Sequence, residues 1–483
     1  MSKRSRGNLL LRRLLIGVRL LLAIAFVWIA THLRTPLLVD VRSWAFWLVL
    51  ALSLGWLLIE LAIFRSSQSG KKRPQSSGLD LVSSIFLNLR DSSYSKLQVP
   101  KFKIQIGLDH LNLIIAFLVL LTVVGSEARF QWIKHRVLNA DSQTLEKLGQ
   151  HVVVGYRNFD EVKALVERKA IAGIYITTRN VEHKTQAAIQ AEIRSLQTIR
   201  RSQALPPLWV AADQEGGIVS RLSPPLTALP PLSTVPTRQP EVIKYARVHG
   251  QGLSSLGVNL NFAPVVDLNQ GVISPRDQFS RIYQRAISAD PGVVAKVARW
   301  YCQTLEEYGV HCTAKHFPGL GSVQTDTHLE SAELSKPVSE LIREDWVPFR
   351  ELMDHTQAFV MLGHAKLSAI DPHHPVSFSE AVIAKLIRNS WKYEGVLITD
   401  DFCMQAVYSS QSGLQGATVA ALNAGVDLVL ISFDSDLYYE AMNALLQAEQ
   451  KKQLDDEQLK TSNKRLERNR AASSAFSIEQ GSE

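Results

Sequence analysis

The sequence predicts an α/β protein: a closed (β/α)8 barrel of the TIM type, preceded by an N-terminal membrane-spanning helical region. Three observations predict it. From about residue 150 onward, eight short apolar runs alternate with longer helical patterns, as right-handed β-α-β units building a parallel sheet require. Polar clusters follow five consecutive runs, the third to the seventh, where barrels of this type carry their chemistry. Before residue 125 lie three apolar stretches set among basic residues.

The first of those stretches runs from about Leu14 to Ala30, with Arg19 near its start; the second runs from about Trp44 to Ile63, with Glu60 near its end. The third, about Leu111 to Val124, follows Asp109 and His110. A bilayer crossing needs about 20 mainly apolar residues. The second stretch qualifies outright, and the first qualifies if Arg19 snorkels to the interface. The third is short, and a helix packed on the barrel is its alternative. A second apolar stretch so close behind the first, without a small-residue cleavage site, reads as an anchor rather than a cleaved leader.

Charge sets the orientation. Residues 1–105 hold 16 Lys/Arg and 4 Asp/Glu, so the net charge of +8 belongs to this region. The larger part of the chain is slightly acidic, so the basic charge says nothing for nucleic-acid binding by it, and no nucleic-acid partner is expected. Five basic residues lie in the first 13, two in the connection 31–43 and eight in the connection 65–105. Basic residues collect on the cytoplasmic side, so the N-terminus and the second connection are expected there. Three crossings put everything after residue 125 outside the cytoplasm; two put it inside. Three is the expectation. The segment Ser66–Ser77, rich in Ser, Gln, Gly and Lys, reads as a solvated loop.

The eight runs are His151–Tyr156, Ile171–Thr177, Leu208–Ala212, Val258–Val266, Val310–Lys315, Phe359–Gly363, Gly395–Thr399 and Leu428–Ser432. Eight such units in roughly 300 residues imply closure. An open doubly wound sheet would carry a glycine-rich phosphate loop after its first strand, but Arg-Asn-Phe-Asp follows Tyr156. The chain thus divides into a membrane anchor over 1–125, a linker over 126–149, the barrel over 150–450, and a polar C-terminal helix and tail over 451–483, expected at the surface. Cys302, Cys312 and Cys403 have no metal-site spacing and are expected as inert thiols.

Asp400-Asp401 closes the seventh run. A carboxylate there can attack an electrophilic sugar carbon; it can equally cap the next helix. Asp326 and His328 stand two apart in a loop. An aspartate can hold and tune a histidine whose ordinary pKa, near 6.5, suits general acid/base work. Asp213, Arg221, Arg285 and Lys315 could bond sugar hydroxyls or form rim salt bridges. His311, His316, Asp326, His328 and His364 could converge on a metal, but Lys315 beside His316 would repel it. No Gly-x-Ser-x-Gly elbow supports a serine triad.

These stretches together resemble glycoside hydrolase family 3, in its bacterial β-N-acetylglucosaminidase (β-hexosaminidase) branch. The resemblance runs over about 150–470. It rests on Asp213-Gln-Glu-Gly-Gly-Ile-Val-Ser-Arg221, Gly257-Val-Asn-Leu-Asn-Phe-Ala-Pro-Val-Val-Asp267, Arg285 with Asp290-Pro291, Lys315-His316-Phe-Pro-Gly-x-Gly321, Asp326-Thr-His328, Met361-x-x-His364, Pro375-x-Ser377-x-Ser379, and Gly395-Val-Leu-Ile-Thr-Asp400-Asp401. It implies a retaining hydrolase that removes terminal β-linked N-acetylglucosamine, with peptidoglycan-derived glycans as the expected source. It further implies Asp400 as nucleophile, His328 polarised by Asp326 as acid/base, and Asp213, Arg221, Arg285, Lys315 and His316 gripping the non-reducing sugar. No cofactor is implied. The expected partners are a carbohydrate substrate and the lipid bilayer. The expected location is the inner membrane of a bacterium, with the catalytic domain extracytoplasmic.

Two positions depart from the family pattern: Leu320 stands where it has a second histidine, and Arg285-Ala-Ile-Ser288 where it has Arg-Ser-Phe-Gly. Two alternatives stay open. A phosphorylase would benefit from a histidine acid/base that does not repel phosphate, and a non-catalytic, membrane-tethered sugar-binding protein would tolerate Leu320.

Overall fold

In the computed structural model, residues 3–69 and 101–479 are described, and the chain divides into two units after Trp132. The first unit is helical: α1 (Lys3–His32), α2 (Arg42–Ser69) and α3 (Lys101–Leu138) as far as Trp132. Two of its segments, Arg42–Ser66 and His110–Leu138, are long and apolar enough to cross a membrane, with mean hydropathies of 2.2 and 2.1. Ile16–His32 is apolar but shorter. The third stretch is therefore not the short one. Its helix runs on past Val124 through Trp132 and Ile133, and the first stretch falls short instead. Nor is Arg19 a lone charge that must snorkel: it pairs with Glu60 of α2 at 2.9 Å, and Trp56 Nε1 donates to the same Glu60 oxygen at 3.1 Å. Buried Ala30, Val49 and Val123 bring the three helices together.

Two expectations change in the connecting segments. The presumed linker 126–149 is helical, first in α3 and then in Ser142–Gly149, whose start is capped by Asp141 accepting from the Thr144 amide. Of the loop expected over Ser66–Ser77, Ser66–Ser69 close α2, while residues 70–77, like most of the basic connection, lie outside the described residues.

The second unit is the barrel. Its strands are β1 (Val152–Gly155), β2 (Gly173–Tyr175), β3 (Trp209–Ala212), β4 (Leu260–Asn261), β5 (Thr313–Phe317), β6 (Phe359–Leu362), β7 (Leu397–Asp401) and β8 (Leu428–Ile431). They pair in parallel in the order β4-β3-β2-β1-β8-β7-β6-β5. Isolated parallel bridges Leu260↔His311 and Val265↔Lys315 join β4 to β5, leaving the barrel nearly closed. All eight expected runs hold a strand. The fifth is displaced, because its apolar signal stops at Lys315 whereas its pairing continues through His316 and Phe317.

Side chains that alternate inward along the strands fill the barrel. Tyr175, Trp209, Phe262, Phe359, Met361 and Ile398 belong to one buried cluster, together with Leu466. Each large apolar side chain buried this way stabilises the fold by roughly 1.5–3 kcal/mol. Leu466 lies on the C-terminal helix Asp456–Glu479, which corrects the expectation of a surface helix. Leu459, Ser462, Leu466 and Asn469 fall on one helical face and all are buried. Ser462, and Arg465 beside it, are buried because fully buried Asp427 needs donors. Ser462 Oγ and Arg465 Nε bind its Oδ1 at 2.7 and 2.8 Å, and Arg388 Nη2 binds its Oδ2 at 2.6 Å.

Sequence spacing also hid a covalent link. Cys302, near the end of helix Pro291–Glu306, is disulfide-bonded to Cys312, just before β5, with Cα atoms 5.4 Å apart. The expectation of three inert thiols is corrected to one buried thiol, Cys403. The helix-to-strand turn brings the pair within bonding reach.

Candidate active site

Polar side chains converge at the carboxyl ends of the strands. The centre is a buried charge cluster. Lys315, in the middle of β5 and 3% exposed, places its Nζ 2.5 Å from Asp213 Oδ1 and 2.6 Å from Glu215 Oε1. Arg285 grips Glu215 through two parallel bonds of 2.9 and 2.7 Å, the fork geometry that suits a carboxylate. Tyr175 Oη donates to Asp213 at 2.7 Å. Burial pushes the Glu215 carboxyl up, but Arg285 and Lys315 outweigh it and hold it down at about 2.

Local backbone explains the Asp-Gln-Glu-Gly-Gly motif. After β3 the chain makes a small hairpin, Gln214–Gly216 against Val219–Ser220. Gly216 turns at φ +94°, and a Cβ there would stand 2.0 Å from Tyr245 Oη. Only glycine lets the backbone pass so close.

His316 is fixed by Asp267 after β4. Its Nδ1 lies 2.7 Å from Asp267 Oδ2, and its amide donates to the same carboxylate, as does the Leu320 amide at 2.7 Å. The Nδ1 proton therefore faces Asp267 and leaves Nε2 toward the site, 3.5 Å from Arg285 Nη2.

The two adjacent aspartates at the end of β7 are not equivalent. Asp401 holds the β8 loop: its carboxylate accepts from Ser432 N and Oγ, Phe433 N and Cys403 N at 2.6–3.0 Å. Among the described residues Asp400 accepts one bond, from the Asp401 amide at 2.8 Å. Burial pushes its carboxyl up, while His316 and His328 pull it down, and the net is below the usual carboxylate range. It is thus an ionised carboxylate with lone pairs to spare. His364, after β6, is held neutral by burial. Its Nε2 lies 3.0 Å from the Asp401 carbonyl oxygen and must carry the proton, so its Nδ1 accepts from Ser377 Oγ at 2.8 Å.

Asp326 and His328 stand in the loop after β5. Asp326 is fully buried, whereas the His328 side chain is 44% exposed. His328 Nδ1 lies 2.7 Å from Asp326 Oδ1, which leaves Nε2 for a ligand. Three successive amides, of Gln278, Phe279 and Ser280, close on Asp326 Oδ2 at 3.1, 2.6 and 3.3 Å, and Ser280 Oγ donates to Oδ1 at 3.1 Å. Burial raises the Asp326 carboxyl, but the bonds and charge of His328 and the Phe279 amide dominate and hold it far below its usual range.

Of the residues singled out in the sequence, Asp213, Arg285, Lys315 and His316 share one cluster, and Asp400, Asp326 and His328 lie at the same barrel end. Arg221 stands beside them: its amide donates to the Asp213 carbonyl at 3.0 Å and its charge acts on Tyr175, while its side chain is exposed. Glu215, Asp267 and Tyr175 were given no role at the site, and His364 was weighed only as a metal ligand. Glu215 and Asp267 stood inside quoted motifs, but what makes each matter is a partner 70 and 49 residues away in the chain.

A parallel barrel with a free strand-end carboxylate, a histidine–aspartate couple and a pocket-lining charge cluster has the layout of a barrel glycosidase. Residues 143–468 match the model of the glycosyl hydrolase family 3 N-terminal domain. A beta-hexosaminidase of Nitrosomonas eutropha is 34% identical over 284 residues, 57% of this chain and 77% of that protein. One from Xanthomonas campestris is 35% identical over 288 residues, 58% and 82% of the two chains. Among solved structures, a glycoside hydrolase family 3 beta-N-acetylglucosaminidase from Paenibacillus sp. superposes with a TM-score of 0.62 at 29% identity, over 68% of this chain and 62% of that one. A family 3 glycosyl hydrolase from Mycobacterium smegmatis gives 0.59 at 29% identity, over 70% and 98%. The chain belongs to glycosyl hydrolase family 3, and it is a glycosidase that hydrolyses glycosyl bonds.

Proposed function

We propose that this enzyme removes terminal β-linked N-acetylglucosamine with retention of configuration, by way of a glycosyl-enzyme on Asp400. The asymmetry of the two strand-end aspartates carries the proposal: Asp401 spends its oxygens on the β8 loop, whereas Asp400 is ionised and free to attack. In the first step Asp400 bonds to the anomeric carbon as the glycosidic bond breaks, and His328 Nε2 gives its proton to the departing oxygen. Asp326 stabilises the imidazolium that supplies this proton. In the second step His328 takes a proton from water, which displaces Asp400. Asp213, Lys315, Arg285 and His316 surround the sugar hydroxyls, held in place by Glu215 and Asp267. Arg221, whose charge acts on Tyr175, joins them from the exposed rim.

The names of the relatives, beta-hexosaminidase and beta-N-acetylglucosaminidase, support the choice of sugar. Peptidoglycan fragments are the proposed source, with the enzyme anchored in a bacterial inner membrane and the barrel outside the cytoplasm. The Cys302–Cys312 bond supports that side, because disulfides persist in oxidising compartments. The deciding experiment compares chromogenic β-N-acetylglucosaminide, β-glucoside and β-xyloside, with and without phosphate. Preferential, phosphate-independent cleavage of the first is expected. Sugar 1-phosphate formed only with phosphate would make the enzyme a phosphorylase, and no turnover of any substrate would leave a sugar-binding protein.

A further inference from the structure

We infer that Phe279 is the floor of a leaving-group subsite, a surface on which the sugar ring being released stacks through its C–H face. This rests on the assignment of His328 as acid/base. A general acid must reach the glycosidic oxygen, so the departing sugar lies on the His328 side of the site.

On that side stands an exposed aromatic ring. Phe279 is 57% exposed, and its ring centroid is 5.7 Å from that of His328. Its backbone, by contrast, is firmly held. The Phe279 amide donates to Asp326 at 2.6 Å, with the Gln278 and Ser280 amides on the same oxygen. Arg281 Nε closes back on the Gln278 carbonyl at 2.8 Å. Further out, Arg276 pairs with Glu330 at 2.7 Å and ties this segment to the His328 loop. Leu329, next to His328, is 36% exposed and adds apolar surface. A large ring carried on a firmly held backbone yet left in water forgoes the stabilisation that burial would bring, and a ligand that covers it recovers that stabilisation without ordering the backbone.

The chemistry of the ring selects the ligand. A β-linked pyranose with equatorial substituents presents apolar C–H faces above and below and its hydroxyls at the edge. Such a face suits an aromatic ring, and Arg276 and Glu330 offer polar partners at the periphery. The preferred leaving group is therefore another pyranose rather than a small alcohol.

The test uses the full-length enzyme and a β-1,4-linked N-acetylglucosamine disaccharide. Phe279→Ala should lower kcat/KM on the disaccharide about tenfold, a size typical of one aromatic contact, mainly through KM. Competitive inhibition by free N-acetylglucosamine, which reaches only the glycone side, should change less than twofold. The pH limbs of kcat should stay where they are, and Phe279→Trp should restore the disaccharide rate. Unchanged disaccharide kinetics would overturn the subsite. So would a parallel loss of monosaccharide inhibition or a displaced pH limb, since either would mean that the ring only braces Asp326 and His328. Wild-type enzyme that leaves the disaccharide intact would instead overturn the hydrolase assignment, and this subsite with it.

Discussion

At the residue scale, the chemistry turns on which of two neighbouring carboxylates is free. Asp400→Asn should lower turnover of a chromogenic β-N-acetylglucosaminide by roughly 10⁴-fold or more and shift Tm by less than about 2 °C, since Asp400 accepts a single amide bond. Asp401→Asn should do the reverse at the level of stability. It weakens three bonds to the β8 loop and one to the Cys403 amide and should cost about 2 kcal/mol. Kinetics and thermal melts of both variants check the pair, and equal activity loss with equal destabilisation would mean that Asp400 is structural too. His328→Ala and Asp326→Ala should slow the reaction roughly 10²–10⁴-fold for poor leaving groups and far less for good ones, because the acid is needed most when the departing oxygen is basic. Slowing by the same factor across a leaving-group series would remove the acid/base role. Both residues were legible as a motif. Which aspartate of the 400–401 pair is free was not, since a dipeptide does not reveal that Ser432 and Phe433 will fold back onto its second member.

At the scale of elements, strand ends and one helix decide the architecture. Apolar runs marked the strands because inward-facing Val, Ile, Phe and Trp fill the barrel. They failed at β5, where Lys315 and His316 are in the strand but face partners in the charge cluster. The C-terminal helix was misjudged for the same reason in reverse: Ser462 and Arg465 look solvated in sequence yet are buried on Asp427. Leu466→Ala should therefore destabilise the barrel by about 3 kcal/mol, as core Leu→Ala changes do, although it lies in a stretch that reads as polar tail. Denaturant titration checks this, and a cost below about 1 kcal/mol would return the helix to the surface.

For the whole molecule, buried histidines set a pH dependence of stability. Burial holds His151, His249, His311 and His364 below their ordinary pKa, with His249 and His311 at about 4. The unfolded chain takes up these protons near pH 6.5, whereas the folded chain does not until much lower. Stability is therefore greatest above about pH 6.5 and falls as pH drops, for His249 and His311 until about 4. Tm should fall by more than about 5 °C between pH 7.5 and pH 5, and a flat profile would contradict neutral burial. The side of the membrane is tested separately. A reporter fused after residue 130 should be active only outside the cytoplasm if three segments cross, and only inside if Ile16–His32 does not. Agreement with the first outcome, together with thiol labelling of Cys302 and Cys312 only after reduction, is expected.

Period and spacing along the chain were enough to determine the eight-fold alternation and the barrel end at which the polar residues gather, whereas the roles proposed for those residues came from the family resemblance. Those properties are written locally: two-residue and 3.6-residue periodicities, and polar residues placed directly after apolar runs. Tertiary structure alone decided the rest. It paired Cys302 with Cys312, bound Arg285 to Glu215 and His316 to Asp267, closed the 278–280 amides on Asp326, and drew Leu466 into the core. Each of these joins groups whose partner is set by the curvature of the closed sheet and not by distance along the chain. Burial then fixes the charge of each group, because a carboxylate or imidazole taken out of water keeps or loses its proton according to what stands opposite it.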